Sequence, residues 1–239
     1  MPMPSEMQNR IHILCTRPLN DTLTSEAKQA GIDIDQLPFI ETVPIESIDV
    51  QQEIEQALLQ TATVVFTSMN AVEAVALYQE EMEPAWEIYC MGGTTNKLVE
   101  KYFGKNKIAG TANDAASLAE LIAADRFNDE VIFFCGDQRR AELPSILAEY
   151  DMEVNEIVVY QTIAVPHKID KSYHGILFFS PSAVASFFQK NKLPVTTILF
   201  AIGNTTANEI KKYTSNTIII SDEPVKENMV SKMIEYFTG

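Results

Sequence analysis

Two stretches of the chain carry the same polar turn. Residues 90–102 read CMGGTTNKLVEKY and residues 201–213 read AIGNTTANEIKKY. Gly92, Thr94, Thr95, Lys101 and Tyr102 fall on Gly203, Thr205, Thr206, Lys212 and Tyr213 at an offset of 111 residues. Each copy follows a short apolar run and opens a helical pattern. A helix's first turn has backbone N–H groups without intrahelical partners, and its dipole favours negative charge there. Glycine and hydroxyl residues at such a corner therefore suit an anion. Thr67-Ser68-Met69-Asn70 and Ser180-Pro181-Ser182-Ala183 are two more corners of the same kind. Each corner alone also reads as an ordinary helix cap, since Ser, Thr and Asn satisfy the free N–H groups. A run of such corners in both domains would make a cleft that holds an anion.

Cations are sparse near these corners. Arg17 follows the apolar run IHILC, and Arg139-Arg140 follow VIFFCG. Each is either a solvent-exposed arginine or an anion contact at a strand's carboxyl end, where open α/β sheets bind ligands. Tyr160, within VVYQT, has a hydroxyl able to give a proton to a leaving group. By composition alone it reads as a buried strand tyrosine.

The usual catalytic signatures are missing. The sequence has no GxxxxGK[ST] phosphate loop, no GxGxxG after a strand, no HExxH and no GxSxG elbow. His12, His167 and His174 are not grouped into a ligand set, and Cys15, Cys90 and Cys135 are too widely spaced for a CxxC metal site. The cysteines end apolar runs and read as buried, reduced thiols. No metal site and no cofactor is expected. Any catalysis would rest on hydroxyls, backbone N–H groups and binding geometry.

These residues need elements to hold them. IHILC (11–15), VVFT (64–67), IYCM (88–91), VIFFC (131–135), ILFF (176–179), ILFAI (198–202) and TIIIS (217–221) read as strands. Helical spacing of apolar residues marks 24–31, 70–79, 95–103, 115–124, 140–150, 182–189, 206–213 and 227–237, with Gly31 closing the first. Strand–helix alternation predicts parallel sheets covered by helices on both faces.

The repeat extends beyond the opening turn. VVFTSMNAVEAV (64–75) matches ILFFSPSAVASF (176–187) at an offset of 112, and FIETVPI (39–45) matches VYQTIAV (159–165) at 120. The chain reads as a duplication. Residues 36–44 and 153–165 are extended, rich in β-branched residues, and not followed at once by a helix. They read as two crossings between domains. The expected division is residues 1–38 with 166–239 as a discontinuous domain and 39–165 as the other, with crossing strands near 36–44 and 157–165. A sequential split near residue 125 is the competing division.

The totals bound the partners. A chain of 239 residues accommodates two domains. A net charge of −15 argues against nucleic acid, whose phosphates need clustered Lys and Arg. Acidic runs such as Glu80-Glu81 and Asp222-Glu223 read as solvated faces. The amino end, MPMPSEMQNR, has no apolar core of a secretory signal, and no run approaches a membrane span. A cytoplasmic monomer with a small-molecule ligand, and neither nucleic acid nor membrane as a partner, is expected.

The ordered motifs resemble one family. TRP (16–18) after the first strand, FTSMNAVEA (66–74), GDQRRAEL (136–143), VYQT (159–162), FFSPSAV (178–184) and AIGNTTANEI (201–210) are similar to segments of the uroporphyrinogen-III synthases. FFCG lacks the basic residue often found before that glycine, and Asn96 stands where alanine is usual. The resemblance implies an α/β protein of two flavodoxin-like parallel-sheet domains, the first discontinuous, joined by a two-stranded linker. It implies cofactor-free conversion of hydroxymethylbilane to uroporphyrinogen III by loss of water, inversion of the last ring and macrocycle closure. It places Tyr160 as the acid. Arg17, Thr67, Ser68, Asn70, Thr95, Arg140, Ser180, Ser182, Gly203, Thr205 and Thr206 become substrate contacts in a cleft. A non-catalytic small-anion binder or regulatory relative would use the same corners.

Overall fold

Each strand of the chain runs into a helix or turns into a second strand, so parallel pairing is the natural outcome. The computed structural model describes residues 10–79 and 82–239. The amino-terminal stretch read above as lacking a signal therefore lies, up to residue 9, outside the described residues, as does the acidic pair Glu80-Glu81. In chain order the elements are β1 (Ile11–Cys15), α1 (Asp21–Gln29), β2 (Ile32–Gln36), β3 (Ile40–Pro44), α2 (Ile48–Leu58), β4 (Ala62–Phe66) and α3 (Met69–Ala76). There follow β5 (Trp86–Met91), α4 (Thr94–Phe103), β6 (Ile108–Ala112), α5 (Ala115–Asp125), β7 (Glu130–Gly136), α6 (Glu142–Glu149) and β8 (Glu153–Ala164). The chain ends with β9 (Gly175–Phe178), α7 (Pro181–Phe188), β10 (Ile198–Ala201), α8 (Asn204–Ile210), β11 (Ile218–Ile220) and α9 (Lys226–Thr238).

The chain divides into two compact units. One comprises the residues up to Glu41 together with Ile163–Gly239, and the other is Thr42–Thr162. The first holds a five-stranded sheet in the order β11-β10-β9-β1-β2, all parallel. Numbered along the chain and read from β2, the order is 2-1-3-4-5, that of flavodoxin-like folds. The other sheet runs β3-β8-β7-β4-β5-β6. Its strands β4 to β8 are parallel and give the same 2-1-3-4-5 order when the count starts at β7 and wraps to β4. The second unit is thus a circular permutation of the first. This explains the two repeat offsets. Phe66 in β4 and Phe178 in β9 occupy the third position at 112, whereas Cys15 in β1 and Cys135 in β7 occupy the first at 120.

β3 pairs with the far end of β8. The bonds Ile45 N to Val159 O and Val165 N to Phe39 O, both 2.9 Å, run in opposite senses along the chain, so the pairing is antiparallel. Adding 120 to Ile45 and subtracting it from Val159 yields Val165 and Phe39. The two bonds are images of one another under the repeat. Thr42 and Thr162, shared by both copies, fall at the midpoint.

Both faces of each sheet are buried, and alternate residues sort onto them. In the first unit Leu14 packs with α7 and α8, while Ile13 and Cys15 pack with α1 and α9. In the second, Val64, Phe66, Ile132 and Phe134 meet α2, α3 and α4, while Val65, Val131 and Phe133 meet α5 and α6. Phe134 stacks on Phe66 with centroids 5.4 Å apart and lies 5.7 Å from Trp86.

Several elements differ from the sequence reading. Helix α1 begins earlier than residue 24, because Asn20 caps it by accepting from Leu23 N at 2.9 Å. Residues 36–44 are not one strand: β2 ends at Gln36 and β3 starts at Ile40. Helix α2 follows β3 after three residues, started by Ser47, so this crossing does lead promptly into a helix. β2, α2 and β6 were not apparent in the sequence, since IDIDQ and IAGTA lack a long apolar run.

The cysteines are buried and free, and burial pushes the Cys15 thiol up to about 12 and those of Cys90 and Cys135 to about 11. Folded protein at pH 8 should therefore resist a thiol reagent at all three positions and react fully once unfolded in urea. Rapid labelling of the folded chain would contradict this packing. Phe134→Ala should lower unfolding free energy by about 3–5 kcal/mol in urea denaturation, the cost of deleting a buried aromatic ring.

Candidate functional site

Because β1, β2 and β9 to β11 run parallel in one sheet and β4 to β8 in the other, the carboxyl ends of each set share one edge. In the second unit that edge carries the corners after β4, β5 and β7 and the emerging part of β8. Ser68 caps α3, its Oγ accepting from Asn70 N at 3.2 Å. The same Oγ accepts from the Tyr160 hydroxyl at 3.1 Å. Tyr160, Ser68 and Asn70, singled out separately in the sequence, are therefore brought together. Thr67 precedes them and is half-buried. With both of its acceptor directions in use, Ser68 retains its own O–H to donate outward.

The corner after β5 is differently built. Gly93 stands at the amino end of α4 with φ 71 and ψ −127, a conformation open to glycine, and no side chain caps the helix. The first N–H groups of α4 therefore have no side-chain partner. Thr94 is exposed, but Thr95 is 7% exposed and faces the core, and its repeat partner Thr206 is 2% exposed. The sequence reading expected Thr95 and Thr206 among the substrate contacts; with both side chains buried, their backbone N–H groups are what these positions turn toward a ligand. Asn96, where alanine is usual in the resembled family, accepts from the Cys90 thiol at 3.7 Å and so is a local packing contact.

After β7, the Asp137 N–H donates to Tyr160 O at 3.1 Å, and Asp137 Oδ1 accepts from Thr162 N at 2.9 Å. Arg139 pairs with Glu156 and is engaged there. Arg140 is exposed and forms no ion pair among the described residues.

The first unit's sheet has a corresponding edge. Ser180 caps α7 by accepting from Ala183 N at 3.2 Å, and its Oγ lies 3.1 Å from that of Ser182. Gly203 precedes α8 without a side-chain cap, and Thr205 is exposed. Helix α8 starts one residue earlier than its repeat partner α4, so the two glycine corners are similar but not superimposable. After β1, Arg17 is exposed, and its carbonyl accepts from the Cys15 thiol at 2.9 Å.

Sequence reasoning missed Lys226. It opens α9 after β11, and its Nζ donates to Pro18 O at 3.1 Å, beside Arg17. Burial, then the Arg17 charge, hold its ammonium below the usual lysine range. Two cations thus stand together at one sheet edge of an acidic chain. The corner Ser221–Lys226 follows a strand just as the four corners singled out do, and the same rule applied there would have found it.

No group of His, Cys, Asp or Glu among the described residues is arranged to hold a metal ion. No helix among them is long and apolar enough to cross a membrane.

Known proteins place the fold. Two solved structures are similar over nearly the whole chain. The uroporphyrinogen-III synthetase of Helicobacter pylori is 16% identical, covering 95% of this chain and 99% of its own, with a TM-score of 0.66. A mutant uroporphyrinogen III synthase of the extremely thermophilic bacterium Thermus thermophilus is 13% identical, covering 95% and 98%, with a TM-score of 0.56. At such identities the likeness is one of fold. The model of the family described as uroporphyrinogen-III synthase HemD matches residues 21–231. With that match spanning most of the sequence and both sheets, the chain belongs to the uroporphyrinogen-III synthase family of cyclising lyases.

Proposed function

We propose that the chain converts hydroxymethylbilane to uroporphyrinogen III with Tyr160 as the general acid, acting as a cytoplasmic monomer without cofactor, nucleic acid or membrane partner. The observation that carries the reading is the Tyr160 hydroxyl standing at the carboxyl edge of its sheet, hydrogen-bonded to Ser68 at 3.1 Å. The first step is loss of the hydroxyl from the hydroxymethyl carbon. The C–O bond breaks with its electron pair on oxygen. The pyrrole nitrogen supplies a pair toward the carbon, giving an azafulvenium cation. A proton delivered to the departing oxygen makes it water, and a phenol held at that edge can deliver it. The cation then forms a bond to the last ring at its substituted carbon, giving a spiro intermediate; that carbon's bond to its original methylene bridge breaks, leaving a second azafulvenium, and the freed methylene bonds to the last ring's unsubstituted carbon, which gives up its proton. The proton lost at final closure restores the acid.

Most of the task is positioning, because simple closure of the chain competes with inversion. The substrate's acetates and propionates are acceptors around its rim. Donors for them are the uncapped N–H groups of α4, the hydroxyls of Ser68, Ser180, Ser182 and Thr205, the backbone at Thr67, Asn70, Thr95, Gly203 and Thr206, and the cations Arg17, Arg140 and Lys226. The acidic remainder of the surface leaves attraction to these few points.

With hydroxymethylbilane as substrate and the porphyrin isomers separated after oxidation, the product should be isomer III; isomer I alone, at the spontaneous rate, would refute the assignment. Tyr160→Phe should lower kcat by about 100-fold, the lower end of a general acid's usual contribution, while KM stays within a few-fold. Arg17→Gln and Lys226→Gln should act oppositely, each raising KM roughly tenfold with kcat little changed, as expected for a lost charge-assisted hydrogen bond.

A further inference from the structure

Side chains of a regular strand alternate between faces. In β8, Ile157 and Val159 belong to the cluster under α2, α3 and α4, and Val158 packs on the opposite cluster under α5 and α6. Continued alternation would send Tyr160 to the α5–α6 side, away from Ser68. Instead Tyr160 packs on the same cluster as Val159. The cause is a slip in register: Cys135 pairs with Val158, but the next residue, Gly136, pairs with Tyr160. One residue of β8 is left over, a β-bulge, and such bulges re-aim a side chain.

The bulge lays the tyrosine ring directly over Gly136. A Cβ at Gly136 would lie 2.3 Å from Tyr160 Cζ, 2.5 Å from Cε2 and 2.7 Å from the hydroxyl oxygen. No real Cβ tolerates such contacts, and the ring is the group that would move. Gly136 is buried, and its φ is not in the left-handed region. Backbone freedom is therefore not what the position requires; empty space is. Tyr160 O accepting from Asp137 N at 3.1 Å, and Thr162 N donating to Asp137 Oδ1 at 2.9 Å, hold the strand at and just beyond Tyr160.

We infer that Gly136 is a positioning residue for the acid of this site: its missing side chain, opposite the bulge in β8, is what allows the Tyr160 hydroxyl to stand on Ser68. The inference rests on the synthase reading for its catalytic consequence and on packing alone for its structural one. A larger residue here would displace the phenol without touching substrate.

The test is a pair of cycles. Gly136→Ala should lower kcat by about 100-fold, as Tyr160→Phe does, since it withdraws the same acid, with KM within a few-fold. The double variant should be no slower than Tyr160→Phe alone. Wild-type kcat in Gly136→Ala, or multiplied losses in the double variant, would overturn the inference. Melting temperature supplies an arm free of the activity. Gly136→Ala should lower it when Tyr160 is present and leave it unchanged in a Tyr160→Ala background; equal losses in both would overturn the packing claim. In protein labelled at tyrosine 13Cζ, the Tyr160 resonance should move in Gly136→Ala toward its position in Ser68→Ala, and an unmoved resonance would count against the inference. If the wild-type chain makes no isomer III, the synthase reading fails, while the melting and resonance arms still decide the role of Gly136.

Discussion

Parallel strand pairing is the constraint from which the rest of the molecule follows. In each unit it brings the carboxyl ends of five strands to one edge and sends the helices between them back across a face. The sheet edges then collect helix amino ends, their caps and their free N–H groups without further instruction. Caps at Ser68 and Ser180 and the uncapped amino end of α4 are local consequences of that topology. The burial of both sheet faces, sorted by alternate residues, packs the strands that carry those edges. In the proposed reading a bilane rim of carboxylates meets donors set by that packing, as positioning catalysis needs.

The duplication determines how the chain can be threaded. One copy is interrupted after its second strand, and the other is permuted so that its first two strands come last. Both facts reduce to one event in the topology: the chain leaves the first unit after β2 and re-enters at the end of β8. The ladder between β3 and β8 is where the copies meet in sequence, and its two hydrogen bonds interchange under the 120-residue offset. Offsets of 111–112 for the middle strands and 120 for the first strand are therefore not scatter. They record the permutation.

The sequence made the parallel class, the duplication and the polar corners legible, because apolar runs and glycine–hydroxyl turns are local signals. It did not reveal β2 or β6, whose alternating and small residues give no run, nor α2. It marked Thr95 and Thr206 at two helix starts but not that both side chains are buried, since one helical step decides between solvent and core. By composition Tyr160 read as a buried strand residue. Which face its ring takes is decided by a bulge, a property of two paired strands that neither strand announces alone. Lys226 was legible in principle, since its corner follows a strand like the others.

The net charge of −15 and an anionic substrate are compatible only if binding is confined to particular places. In the proposed reading Arg17 with Lys226, and the helix amino ends, are those places. Amide hydrogen exchange with and without uroporphyrinogen III tests this most directly. The account predicts slowed exchange at the carboxyl edges, in the segments around Ser68–Asn70, Gly92–Thr95, Ser180–Ala183 and Gly203–Thr206. Protection confined to the opposite edge, around His12, Asp33 and His174, with those turns unchanged, would contradict it.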